Sequence, residues 1–305
     1  MSDINRTEEF LDKYKELFKI YDCCKMTDAA AKKESKKIID ENFDKNNNNE
    51  ALKSVFACID LTSLNNTDTD ESAAKLAGKV ADFGKKYPEL PNVAAICVYP
   101  SCVAAVKDTL GENPSVEIAS VAAGFPAPQT FLEVKIAETA MAVLEGATEI
   151  DMVFPLHYFL AKQYDKVEEE IMEVKSACRG AHLKVILETC ALKSAAQIAE
   201  AAILAMACGA DFIKTSTGKS TAGATPEGVY AMCQAVKEFN EENNTRIGIK
   251  VAGGVSETDD AVKYYTLVTE TLGKQYAKKG TFRIGASRLA NNVLGKITGT
   301  EEKYF

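Results

Sequence analysis

The sequence is poor in the residues that hold metals and in the signals that send a chain to a membrane. It has two histidines, no Cys-x-x-Cys pair, and nine cysteines of which only Cys23 and Cys24 are adjacent. Zinc sites draw on clustered cysteine and histidine, so zinc ligation has little support. The cysteines read as reduced thiols of a cytoplasmic protein. No apolar run is long enough to span a bilayer. The opening residues, MSDINRTEEF, are polar and acidic, unlike a secretory signal. No Gly-x-Gly-x-x-Gly turn follows the first strand-like run, so the fingerprint of a doubly wound dinucleotide-binding sheet is missing. A net charge of -8 argues against general affinity for nucleic acid. It says little about small anionic substrates, which see only the local field.

What remains is an ordinary globular composition, 46% hydrophobic and 26% charged over 305 residues, enough for one large core or two small ones. Residues 1–50 differ from the rest. Phe10, Leu11, Tyr14, Leu17, Phe18 and Tyr21 follow helical spacing, and residues 29–43 continue in that style. The polar string DKNNNNE breaks the pattern. This predicts a helical extension over 1–50, ending in a linker at about 44–50 and lying outside the catalytic core. The catalytic domain is expected over 51–305.

From Ala51 onward, short apolar strands alternate with amphipathic helices. Strands are expected at 55–60, 93–98, 117–122, 149–154, 183–188, 211–215, 247–252 and 282–285, with helices at 72–86, 131–144, 194–208, 226–240 and 258–278. Eight strand–helix units in about 250 residues predict an α/β fold, the closed (β/α)8 TIM barrel. Such strands should be apolar on both faces, and these largely are.

Chemistry in this fold collects at the C-terminal strand ends. There the sequence places Asp60 in CIDLTSL, Asp151 in EIDMVFP, Lys184 in HLKVILE, Lys214 in DFIKTSTGK and Lys250 in GIKVAGGV. Each alone has a plain explanation: a snorkelling lysine, a polar cap on a barrel layer, or an Asp151–Lys184 pair. Three lysines and an aspartate on neighbouring strands ask for more. Two ammonium groups confined together are mutually destabilising, so one loses its proton, and a neutral lysine is a nucleophile suited to imine formation. Gly218, Gly253, Gly254 and Gly285 follow three successive strands, with Lys219 and Ser287 beside them. Glycine-rich loops that feed helix N-termini cradle phosphate. Together the two halves point to an enzyme that acts on a phosphorylated carbonyl compound through a lysine imine.

These residues carry a resemblance. IDLTSL, AAICVYP, VAAGFP, GATEIDMVFP, LKVILE, GADFIKTSTGK, ATPEG, KVAGGV and FRIGAS, in this order from about Leu52 to the C-terminus, resemble the deoxyribose-phosphate aldolases, class I aldolases on a TIM barrel. VAAGFPAPQT looks closer to the longer, eukaryotic-like branch, which suits the extension. The resemblance implies reversible cleavage of 2-deoxy-D-ribose 5-phosphate to acetaldehyde and D-glyceraldehyde 3-phosphate, in deoxyribonucleotide catabolism. It implies that Lys214 forms the Schiff base, and that Lys250 lowers its pKa and exchanges protons. Asp151 is the implied proton donor and acceptor, acting through a water, and Lys184 would hold Asp151 and a substrate hydroxyl. Gly218, Lys219, Gly253, Gly254, Gly285 and Ser287 match the phosphate site, Asp60 joins the substrate-binding set, and Tyr304 would reach back from the C-terminal tail. No metal or cofactor is expected, because the protonated imine is the electron sink. The implied partner is a sugar phosphate, with no nucleic acid or membrane, and a homo-oligomer, dimer or higher, stays open.

Several positions depart from the family pattern. Val251 stands where proline usually follows the lysine of strand seven. Arg288 replaces a serine after Ser287, and Ser256 stands where arginine is frequent. Cys190 and Ala191 replace a glycine–acid pair after strand five. Two other readings stay open: a class I aldolase for another phosphorylated aldehyde or ketone, and a silent barrel that only binds sugar phosphates.

Overall fold

The structure is a computed structural model that describes residues 12–111 and 115–305. Eight parallel strands close on themselves in chain order: β1 (Ile59–Thr62), β2 (Ala95–Val98), β3 (Glu117–Val121), β4 (Glu149–Val153), β5 (His182–Ile186), β6 (Phe212–Lys214), β7 (Gly248–Ala252) and β8 (Phe282–Ala286). This is the expected TIM barrel. Register sets the site: Asp151 lies opposite Lys184, Lys214 opposite Lys250, and Lys250 opposite Arg283. Charged side chains from β4 to β8 therefore enter the barrel at similar heights.

The helices begin where the sequence supplies caps. Residues 12–20 are helical (α1), followed by α2 (Asp28–Asn46), α3 (Asn49–Ala57), α4 (Asp70–Lys86), α5 (Val103–Leu110), α6 (Leu132–Glu145), α7 (Leu156–Leu160), α8 (Tyr164–Ala177), α9 (Ala195–Ala207), α10 (Pro226–Asn243), α11 (Thr258–Leu272) and α12 (Leu289–Thr298). Thr69, Ser194 and Thr225 accept N–H bonds from the first turns of α4, α9 and α10, each side chain satisfying an otherwise orphaned donor. Pro226, at the start of α10, has a preset φ and no N–H to lose.

The N-terminal region differs from expectation at two places. The linker at 44–50 shrinks to Asn47 and Asn48, because α2 runs through Asn46 and Asn48 caps α3 with its side chain. The strand expected from residue 55 starts at Ile59. Leu52, Val55 and Phe56 form the buried face of α3 instead, a spacing a short apolar run does not distinguish from a strand. Tyr14, Phe18 and Tyr21 are buried against the barrel, and Asn46 bonds Glu270 of α11. Phe10 and Leu11 lie outside the described residues. Near the other end, α11 stops at Leu272 because Gly273 turns to φ 92°, and a 3-10 turn follows at Lys274–Tyr276. Among the described residues, no helix is long and apolar enough to cross a membrane.

Candidate active site

The barrel interior holds seven charged side chains where a core would hold leucines. Lys184, Lys214, Lys250 and Arg283 face Asp60, Glu149 and Asp151, and all seven are buried. Asp151 is the hub. Its Oδ1 accepts from Lys184 Nζ at 2.9 Å, and its Oδ2 accepts from Lys214 Nζ at 2.8 Å and Lys250 Nζ at 2.7 Å. One layer down, Arg283 makes a two-pronged pair with Glu149 at 2.6 and 3.0 Å and binds Asp60 Oδ1 at 2.6 Å. Lys250 Nζ reaches Asp60 Oδ2 at 2.6 Å, and Lys184 Nζ reaches Glu149 at 2.6 Å.

Four cations against three carboxylates leave one positive charge too many in a buried space. Bringing an unmatched charge out of water costs several kcal/mol, roughly, so the cheapest remedy is loss of one proton. The environment selects Lys214. Burial, then the charge of Lys250, pull its pKa below the ordinary lysine value, with only Asp151 opposing strongly. Burial would lower Lys250 as well, but Asp151 and Asp60 together outweigh it and hold Lys250 above its ordinary value. Lys184 is held up in the same way by Asp151 and Glu149. Burial would raise Asp151, yet the lysines around it, Lys184 first, keep it well below the usual carboxylate range. His182, exposed at the foot of β5, lies 3.8 Å from Glu149, and its pKa is raised, chiefly by that carboxylate.

Lys214 is also the lysine of this cluster that lines the open cleft, of about 300 Å³, above the charges. Gly218, Lys219, Gly253, Gly254, Gly285 and Ser287 line the same cleft, joined by Thr217, Ser256 and Arg288. Gly253 holds φ 91°, and a side chain on Gly223, which packs against it, would collide with the Gly253 carbonyl. A side chain on Gly285 would press on Lys250 Cε, so this glycine clears the path by which Lys250 crosses to Asp151. Lys219 Nζ donates to the Leu64 carbonyl. Arg288 precedes α12 without its side chain capping it, which leaves the positive end of that helix free to face an anion.

Two expected site residues lie elsewhere. Asp60 does not face the cleft: it is buried beneath it, bonded by Arg283 at Oδ1 and with Lys250 Nζ 2.6 Å from Oδ2. Tyr304 does not reach the cleft either. Its hydroxyl donates to the Lys79 carbonyl at 2.7 Å, and its ring packs edge-on against Phe83 of α4 and Tyr87 just after it. Phe305 stacks on Phe83 and bonds Asn291 through both its backbone N–H and C=O, fixing the tail on the flank of the barrel. Sequence reasoning missed Glu149 and Arg283 as members of the charge cluster, although both stand in the strings EIDMVFP and FRIGAS, two positions from a residue already singled out. It also missed Glu188, whose carboxylate holds Thr217 at the cleft edge.

A buried lysine of lowered pKa that opens on a glycine-lined cleft is the equipment of an imine-forming aldolase, and known proteins agree. The family model of DeoC/LacD family aldolases matches residues 54–281. A deoxyribose-phosphate aldolase of Homo sapiens is 39% identical over 260 residues, covering 81% of this chain and 80% of the human one. One of Agrobacterium fabrum is 37% identical over 253 residues, covering 83% and 93%. A tetrameric deoxyribose phosphate aldolase of Aeropyrum pernix has the same fold, with a TM-score of 0.64, 26% identity, and coverage of 85% of this chain and 96% of that one. On its strand-end lysines and on these matches alike, the chain belongs to the DeoC/LacD family of aldolases.

Proposed function

We propose that the protein is a metal-independent, class I deoxyribose-phosphate aldolase. It cleaves 2-deoxy-D-ribose 5-phosphate reversibly to acetaldehyde and D-glyceraldehyde 3-phosphate. The observation that carries the reading is the charge imbalance, four cations on three carboxylates, with Lys214 the one lysine of that cluster that opens on the cleft. Neutral Lys214 Nζ attacks C1 of the open-chain sugar, water leaves, and a protonated imine forms. Asp151 relays the proton of the C3 hydroxyl through a water as the C2–C3 bond breaks, and the imine takes up the electron pair as an enamine. Protonation at C2 and hydrolysis release acetaldehyde and restore Lys214.

Asp151 is a weak base because the lysines around it hold its carboxyl well below the usual carboxylate range. Lys250 keeps the charge that favours a neutral Lys214, and Lys184 anchors the other oxygen of Asp151. The 5-phosphate lies against Gly218, Lys219, Gly253, Gly254 and Ser287, with Arg288 supplying the charge that Ser256 does not.

The remaining assignments form part of this proposal. Residues 1–50 are an extension and 51–305 the catalytic domain. Free thiols support a cytoplasmic setting, and the tetrameric relative supports a homo-oligomer. The test compares cleavage of 2-deoxyribose 5-phosphate with that of ribose 5-phosphate. A close fit at C2 predicts strong preference for the deoxy sugar, by about tenfold or more, since a misfitted hydroxyl costs at least 1–2 kcal/mol. Equal rates would assign the chain to another aldolase reaction.

A further inference from the structure

Glu188 is a buried carboxylate that the proposed reaction does not use. It follows β5 with a left-handed backbone, φ 48° and ψ 61°, a conformation that side-chain-bearing residues adopt at a cost. The ladder bonds on either side fix it there: Leu187 N–H donates to the Lys214 carbonyl at 2.8 Å, and Thr189 N–H to the Thr215 carbonyl at 2.9 Å. Among the described residues, no cation pairs with it. Its neighbours are donors instead. Thr217 Oγ1 donates to Oε2 at 2.6 Å, Thr217 N–H lies 3.4 Å from both oxygens, and Cys190 Sγ lies 3.8 Å from Oε1. Thr217 Oγ1 in turn accepts the Lys219 N–H at 3.0 Å.

A chain of bonds therefore runs from Glu188 through Thr217 to Lys219, along the loop that continues from Lys214 and lines the cleft. An ionised carboxylate is acceptor-only, which suits a site where every partner is a donor. Its charge next to an anion site is a cost that an enzyme binding phosphate would avoid unless the geometry required it. We infer that Glu188 is a positioning residue: it holds Thr217 so that the turn of residues 217–219 keeps the shape that receives the phosphate of the substrate. This rests on the proposed aldolase reading, and it adds a residue that touches neither the substrate nor the reacting atoms.

The consequence is selective. Loss of the Glu188 bonds should loosen the phosphate subsite and leave imine chemistry at Lys214 intact. The experiment measures kcat and KM for 2-deoxyribose 5-phosphate and for unphosphorylated 2-deoxyribose, with inhibition by inorganic phosphate, in Glu188→Ala, Glu188→Gln and Thr217→Val. Glu188→Ala is expected to raise KM for the phosphorylated sugar and the inhibition constant of phosphate by about tenfold or more, as befits a lost charge-assisted hydrogen bond. It should change kcat/KM for 2-deoxyribose by less than about threefold, since that substrate has no phosphate to misplace. Glu188→Gln keeps an oxygen for Thr217 and should recover most of the loss. Thr217→Val removes the donor from the other side, so it should reproduce the effect of Glu188→Ala, and the double variant should be no worse than either single one.

Equal losses on both sugars would overturn the inference, as would Glu188→Ala leaving phosphate inhibition unchanged or additive effects in the double variant. The aldolase reading fails by a different result: no borohydride-trapped acetaldehyde adduct on Lys214 in the unaltered chain.

Discussion

Lys214 and Lys250 share one acceptor: their Nζ atoms lie 2.8 and 2.7 Å from the same oxygen, Oδ2 of Asp151. Two ammonium groups on one buried oxygen repel each other, which favours loss of a proton from one. The surroundings decide which one. Lys250 has a second carboxylate, Asp60, and among the described residues Lys214 has none.

Removing Lys250 should therefore restore the proton to Lys214. In Lys250→Met, three cations face three carboxylates, and nothing forces Lys214 to be neutral. Activity near neutral pH should fall by about 10² or more, and the remaining rate should recover only as the pH is raised. The direction follows from the depressed pKa of Lys214. In the unaltered protein the neutral amine is populated from lower pH, so activity rises from acid toward neutral. A pH–rate profile of kcat/KM checks this, and a profile that keeps its position in Lys250→Met would refute the role of Lys250.

Asp151→Asn separates imine formation from carbon–carbon cleavage. The amide carries no charge, so Lys214 is left still more strongly disposed to be neutral, and it should still be trapped by acetaldehyde and borohydride. Proton relay should fail, and kcat should drop by about 10²–10⁴, the usual worth of a positioned acid–base group. Loss of trapping together with kcat would mean that Asp151 serves mainly to assemble the site.

The lower layer of charges is about stability. Arg283→Met strips Glu149 of its two-pronged partner and Asp60 of one of its cations. Breaking a buried pair from one side costs roughly 3–5 kcal/mol, so a large fall in the denaturant midpoint is expected. Asp60, Glu149 and Asp151 all have folded pKa values below the ordinary carboxylate range. A carboxylate depressed in the folded state contributes stability above its unfolded pKa of about 4, and that contribution is lost as pH falls through the folded value. The native protein should thus hold its fold through mild acid and unfold steeply below about pH 4. In Arg283→Met the carboxylates are less depressed, so the acid-dependent loss is smaller, but it starts from a lower stability and the acid unfolding midpoint should lie at higher pH.

The C-terminal tail packs as a clamp on the flank of the barrel. Deleting Tyr304 and Phe305 removes the Tyr304–Lys79 bond, the Asn291 bonds and the aromatic packing on Phe83. The expected result is a loss of about 2–4 kcal/mol in thermal or chemical unfolding, with kcat nearly unchanged below the melting transition. A fall in kcat with unaltered stability would restore the tail to the active site.

Much of this was legible in the sequence, for reasons that differ by residue. Asp151, Lys214 and Lys250 stood out because a charge in a buried strand is costly and so conspicuous. The barrel followed from eight strand–helix alternations. Glu149 and Arg283 are as buried as those residues, but their partnership depends on the tilt of the strands, which brings β8 against β4 across the barrel. That geometry is not written in either strand. The start of β1 was misplaced because Val55 and Phe56 suit a helix face as well as a strand. Tyr304 was misplaced because the slot between α3, α4 and α12 exists only after folding. Glu188 looked like the end of a strand, and its left-handed turn toward Thr217 has no mark in the sequence.

The central claim is that Lys214 is the nucleophile. The most direct measurement is to incubate the protein with acetaldehyde, reduce with borohydride, and map the modified peptide by mass. One reduced two-carbon adduct on Lys214, absent from Lys214→Met along with all cleavage activity, is the predicted result. An adduct confined to another lysine, or full activity in Lys214→Met, would contradict it.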